Sequence, residues 1–169
     1  MRIETSNKTY IHYGSDKFDP ARFVPIRNAL YRNKPEGGLW ASPLNAEGYE
    51  DGYGWRTFWA DQDPDEESDE VDNVEFLSGG RYSKSFTFKL KPGSKVLKLY
   101  TKEDIKDIPR VPKPLEWPLF REIIPDFEKM VYEMGIAAIE YSPDDLYMEL
   151  YGWDVACLLV LDPNAVEQI

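Results

Sequence analysis

The 169-residue chain has one histidine and one cysteine, which narrows the chemistry open to it. His12 lies in Tyr-Ile-His-Tyr-Gly-Ser, residues 10–15, at the end of an apolar, strand-like approach and just before a glycine turn. One histidine cannot build a histidine-rich metal centre. It acts either as a satisfied structural residue or as a single base, donor or ligand-positioning group. Cys157 stands in the apolar run Val-Ala-Cys-Leu-Leu-Val-Leu, so burial is expected, and it has no second cysteine for a disulfide or a thiolate zinc set. The fingerprints of phosphate-binding loops, nucleophile elbows and His-Glu-x-x-His metalloproteases are all missing. Asp61, Asp63 and Asp65 start the spacing of a calcium loop. Glu66 then replaces the required glycine and Asp72 the bidentate glutamate, so the run reads as a solvated mobile loop and no metal is expected.

A second block, Gly-Gly-Leu-Trp-Ala-Ser at 37–42, follows about two dozen residues after the histidine block. Together the two resemble the opening of the ADP-ribosyltransferase superfamily, in its poly(ADP-ribose) polymerase and diphtheria-toxin branch. There a first strand ends in His-Gly-Ser/Thr and a second reads Gly-Ile-Tyr-Phe-Ser/Ala. This chain departs from the pattern in three ways: Tyr13 separates His12 from Gly14, Trp40 replaces the usual tyrosine, and the catalytic acid is not in a Glu-x-Glu or Gln-x-Glu pair. The resemblance implies an α+β fold with a split, mostly antiparallel sheet and flanking helices. It also implies NAD as the substrate and ADP-ribose transfer to a macromolecular acceptor, protein or nucleic acid.

By the same resemblance His12 holds the adenosine ribose, Trp40 stacks on nicotinamide and Ser42 bonds a ribose. Tyr13 and the backbone of Gly14 complete the cofactor-binding set, and Arg22 or Arg27 faces the pyrophosphate. The acid, which would stabilise the oxocarbenium-like charge as nicotinamide leaves, is assigned to Asp154, with Glu140 and Glu149 as the alternatives.

Periodicity supplies the elements that must position these groups. Thr9–Tyr13 and Leu39–Ser42 read as short strands, and Tyr82–Leu90 alternates as a half-buried strand. After the Lys91-Pro-Gly-Ser turn, Lys95–Tyr100 reads as its hairpin partner or near neighbour. Ile136–Glu140 reads as a buried strand and Trp153–Leu161 as a central one. Helices are expected after Asp19-Pro20, from Trp55, after Thr101, over Leu119–Met134 with a kink at Pro125, and from Asp144 to Tyr151.

The length fits one domain, and 42% hydrophobic residues can fill its core. The polar amino terminus and the lack of a long apolar run lead to the expectation of a soluble, cytoplasmic chain without membrane attachment. A net charge of −11 opposes nonspecific nucleic-acid binding, yet eight of the acids fall in 61–72, and without them the balance is −3. Residues 1–34 and 81–113 are locally basic. A different class of function stays open on the same grounds: a non-enzymatic protein that binds a protein partner through the acidic 61–72 loop.

Overall fold

The computed structural model describes residues 1–29, 32–52, 54–60, 83–112 and 123–169. The acidic run 61–72 and the start of the helix expected from Leu119 lie outside the described residues. Eight strands form one open, mixed sheet: β1 (Arg2–Glu4), β2 (Thr9–Tyr13), β3 (Leu39–Leu44), β4 (Ser85–Leu90), β5 (Lys95–Leu99), β6 (Ile136–Tyr141), β7 (Cys157–Val160) and β8 (Val166–Gln168). Their spatial order is β1-β5-β6-β7-β3-β2-β4-β8. Only β5 and β6 run parallel.

The sheet has a dividing point within β3. Residues Leu39 to Ala41 pair with β7, whereas Ser42 to Leu44 pair with β2. One strand thus serves two ladders, with β1, β5, β6 and β7 on one side and β2, β4 and β8 on the other. Alternation along β3 sends Ala41 to one core with Tyr10, Phe86, Phe88 and Leu158, and Trp40 to the other with Leu159, Tyr141 and Trp153. β6 and β7 are buried at every position, as central strands covered on both faces must be.

The expected hairpin of β4 and β5 does not form. The Lys91–Ser94 turn closes with Ser94 N donating to Lys91 O, but β4 pairs with β2 and β8 while β5 enters between β1 and β6. Val96, Leu97 and Leu99 are all buried, so β5 needs cover on both faces that an exposed hairpin would not supply.

Among the described residues helix is scarcer than the sequence signals. Trp55–Ala60 forms α1 as expected, with Trp55 and Phe58 against the core. The segment after Asp19 is a single 3₁₀ turn, Pro20–Arg22, because Pro25 leaves no room for a second turn. Residues 101–107 and 144–151 are successive turns rather than helices, although the Asp104 carboxylate accepts from Thr101 N as a capping group does. At 123–134 the chain stays extended through Pro125, which bridges to Arg110, and becomes helical only at Phe127. Asn28 Oδ1 accepts from the Phe127 and Glu128 amides and so caps that late start.

The two halves are braced by a buried acid. Glu140 on β6 is 2% exposed and accepts from Lys8 Nζ at 2.5 Å, from the Tyr10 hydroxyl at 2.9 Å and from the Tyr100 hydroxyl. Burial pushes its carboxyl up, but the bonds from Lys8, Tyr100 and Tyr10 outweigh this and hold it below the ordinary value of 4.5. A group with a lowered folded pKa stabilises the fold above its unfolded pKa and loses that contribution as pH falls through the folded one. Glu140→Ala should therefore cost about 2–3 kcal/mol in urea unfolding near neutral pH, since it leaves two phenols and an ammonium without their acceptor. In Glu140→Gln, the part of the stability loss below pH 4.5 that belongs to this group should vanish, and an unchanged acid limb would refute the assignment.

Candidate functional site

β2 ends at a gap that its own pairing creates. The ladder to β3 runs Thr9–Leu44, Tyr10–Pro43 and Ile11–Ser42 and then stops. Beyond it the His12 ring takes over the hydrogen bonding, with Nδ1 2.7 Å from the Trp40 carbonyl oxygen. A carbonyl oxygen can only accept, so Nδ1 carries the proton in this contact. The ring also lies 5.2 Å from that of Phe86, at a tilt of 43°.

A cleft of about 200 Å³ opens beside His12, lined also by Gly14, Lys17, Phe18, Arg22 and Phe23. It combines an imidazole, two cations, three aromatic rings (Phe18, Phe23 and Phe86) and the Asp19 carboxylate, whose Oδ1 is taken by Ala21 N, so the cations outnumber the acid and one nucleoside-sized anionic group is suited to it. Arg22 reaches it because Asp19 caps the 3₁₀ turn: Asp19 Oδ1 accepts from Ala21 N, and Arg22 ends that turn. Arg27 does not line the cleft; its backbone bridges to Glu36.

The other residues assigned by the resemblance do not gather there. Trp40 shares a backbone contact with His12 but turns its ring to the opposite face, 5.0 Å from Trp153 and 6.3 Å from Trp55. Lys34 Nζ sits 5.9 Å from the centroids of both Trp40 and Trp55. Tyr13 also faces away from His12, and its hydroxyl donates to Glu50 Oε1 at 2.9 Å. Ser42 is fully buried, with its oxygen accepting from Trp55 N at the start of α1, so it has a structural task rather than a ribose to bind.

Asp154 lies in the bend before β7, next to Trp153, and its charge helps raise the Tyr141 phenol, after burial as the main cause. Glu149 lies among the turns of 144–151, with Oε1 3.8 Å from Lys102 Nζ and Oε2 buried without a hydrogen-bond partner among the described residues. Glu140 is the buried acid that braces the halves, and it lines a different cavity. None of the three lines the His12 cleft.

Phe18, Phe23 and Lys17 belong to this cleft, and no motif in the chain marks them. Their only signal is position, just after the glycine turn that ends the histidine block. The glycine pair at 37–38 carries a different lesson. Its close approach is to the chain itself: a Cβ on Gly37 would lie 2.4 Å from the carbonyl oxygens of Val24 and Pro25. With φ at +80° as well, Gly37→Ala should lower stability by about 2–3 kcal/mol, read as a drop in Tm of several degrees. An unchanged Tm would show that the 24–25 segment does not hold this loop.

In comparisons of the chain with known protein families, with curated proteins and with solved structures, nothing matched. Among the described residues, no helix is long and apolar enough to cross a membrane.

Proposed function

We propose that the protein binds NAD and acts as an ADP-ribosyltransferase-like enzyme on a macromolecular acceptor. The observation that carries this reading is the junction of the histidine and glycine-tryptophan blocks: His12 Nδ1 meets the Trp40 carbonyl where the two ladders part, with a cleft beside it. His12 and Trp40 are 28 residues apart in sequence and in contact in space, which supports the nearness of the two blocks that the resemblance implies.

In this reading the adenosine end lies beside His12 and Gly14, with Arg22 and Lys17 facing the pyrophosphate. The volume of about 200 Å³ admits one end of the dinucleotide and not the whole. The nicotinamide end is assigned to the opposite side of β3, where Trp40 and Trp55 flank the Lys34 ammonium. Indole faces attract a cation, at present the Lys34 ammonium, which has to swing away before the cationic nicotinamide ring takes its place. Asp154, beside Trp153, is the acid assigned to the nicotinamide ribose, where a carboxylate stabilises the positive charge that develops as the glycosidic bond breaks.

Titration with NAD, followed by tryptophan fluorescence and by nicotinamide release, tests this directly. Wild type should quench and release nicotinamide. His12→Ala should weaken binding about tenfold, the worth of one hydrogen bond to a ribose hydroxyl. Asp154→Asn should still quench but release nicotinamide at least a hundredfold more slowly, on the order of a lost transition-state contact. Wild type that neither quenches nor releases nicotinamide would end the proposal.

A further inference from the structure

A second cavity, larger than the His12 cleft, lies elsewhere, at the carboxyl end of β6, and none of the roles assigned so far uses it. It has a volume of about 510 Å³ and is lined chiefly by Lys8, Asp51, Tyr100, Glu140, Ser142 and Asp145. That size is in the range of small-molecule sites.

The hydrogen-bonding capacity of its walls is mixed and partly uncommitted. Glu140 at the floor is satisfied by Lys8, Tyr10 and Tyr100, so it fixes its neighbours rather than awaiting a ligand. Lys8 gives one of its three N–H groups to Glu140 and, at 37% side-chain exposure, can turn the others toward the cavity. The Tyr100 hydroxyl donates to Glu140 and keeps a lone pair to accept with. The Ser142 hydroxyl likewise donates to Asp144 Oδ2 and can accept. The carboxylates of Asp51 and Asp145 are exposed at the rim and have no partner among the described residues.

An anion would meet Asp51, Asp144 and Asp145, which repel it. A cation would compete with Lys8, which is already paired with Glu140 and lies 6.0 Å from the Tyr100 ring centroid. A neutral ligand whose hydroxyls both donate and accept satisfies both kinds of wall: it donates to Asp51 and Asp145 and accepts from Lys8. We propose that this cavity binds a neutral polyhydroxylated ligand of the sugar class, held through neighbouring hydroxyls between Lys8 and the rim carboxylates. This inference is independent of NAD binding at His12, and either can fail without the other.

Saturation-transfer NMR on the full chain, with D-galactose and D-glucose as probes and spermidine and inorganic phosphate as charged controls, tests it. At least one sugar should receive saturation from the wild type, and neither control should displace it. Asp145→Asn changes an exposed side chain and should weaken sugar binding about tenfold while leaving Tm unchanged. Lys8→Met should do the same, with a loss of stability from its bond to Glu140. His12→Ala should bind the sugar as wild type does, which separates this site from the NAD cleft. Absence of transfer from both sugars, displacement by spermidine or phosphate, or unchanged binding by Asp145→Asn would each overturn the proposal.

Discussion

The structure depends on β3 serving two ladders. A strand that passes from one half-sheet to another leaves backbone groups at the crossing with no strand partner, and a buried unpaired carbonyl is costly. Here the Trp40 carbonyl is taken by a side chain, His12 Nδ1, so the parting of the strands is satisfied without a third strand or a closing turn. Ser42, two residues on, serves a different backbone group: its oxygen accepts the first amide of α1. The sheet can therefore open at this point and keep its polar groups paired. The opening is what leaves a cleft at the end of β2.

A divided sheet needs something to fix the angle between its halves. Glu140 does this at a distance from the dividing point, drawing Lys8 and Tyr10 from one side onto β6 of the other, with Ser6 extending the chain to the Tyr10 hydroxyl at 2.5 Å. A buried ion pair adds little net stability compared with a well-packed apolar substitute. Its value is directional: two phenols and an ammonium must converge on one carboxylate, and few relative placements of the halves allow it. Burial and the Glu140 charge both raise the Tyr10 phenol, so it stays a donor throughout the ordinary pH range. Apolar packing between Tyr10, Phe88, Ala41 and Leu158 then fills the space that this geometry defines.

Much of the sheet was legible in the sequence because its signals are local. Ile136–Tyr141 and Cys157–Val160 are apolar runs of strand length, and both are strands buried at every position. The pairing of β4 and β5 was not legible, because which strand inserts where is decided by distant partners and not by the turn between neighbours. The expected helix at 144–151 had a sound start signal in Ser142-Pro-Asp-Asp and a buried pair at helical spacing, Leu146 and Leu150, which an α-type bond from Leu150 N to Leu146 O joins, yet the segment is a run of turns that Gly152 ends. A segment of two turns is too short to propagate a regular helix even with its apolar face buried. The bracing role of Glu140 had a readable sign, since an acid within Ile-Ala-Ala-Ile-Glu-Tyr must find partners if its strand is central.

The nearness of His12 to residues 37–42 was legible from two short blocks, but the direction of the side chains was not, and the reason is parity. Tyr10 faces Pro43 and Ile11 faces Ser42, so the same register carried on would set His12 opposite Ala41. Trp40 then belongs to the other face of the sheet, as its contact with Trp153 shows. A one-residue slip would bring the indole beside the imidazole, but it would also exchange every side chain of β3 between the cores. Trp40 would have to fit where Ala41 packs against Tyr10 and Leu158, and overpacking of that size is not tolerated. The register is therefore fixed by the volumes of Ala41 and Trp40. A planar group bound beside His12 meets the rings of Phe18, Phe23 and Phe86 in its own cleft, and the indole acts only on what reaches the far side of β3.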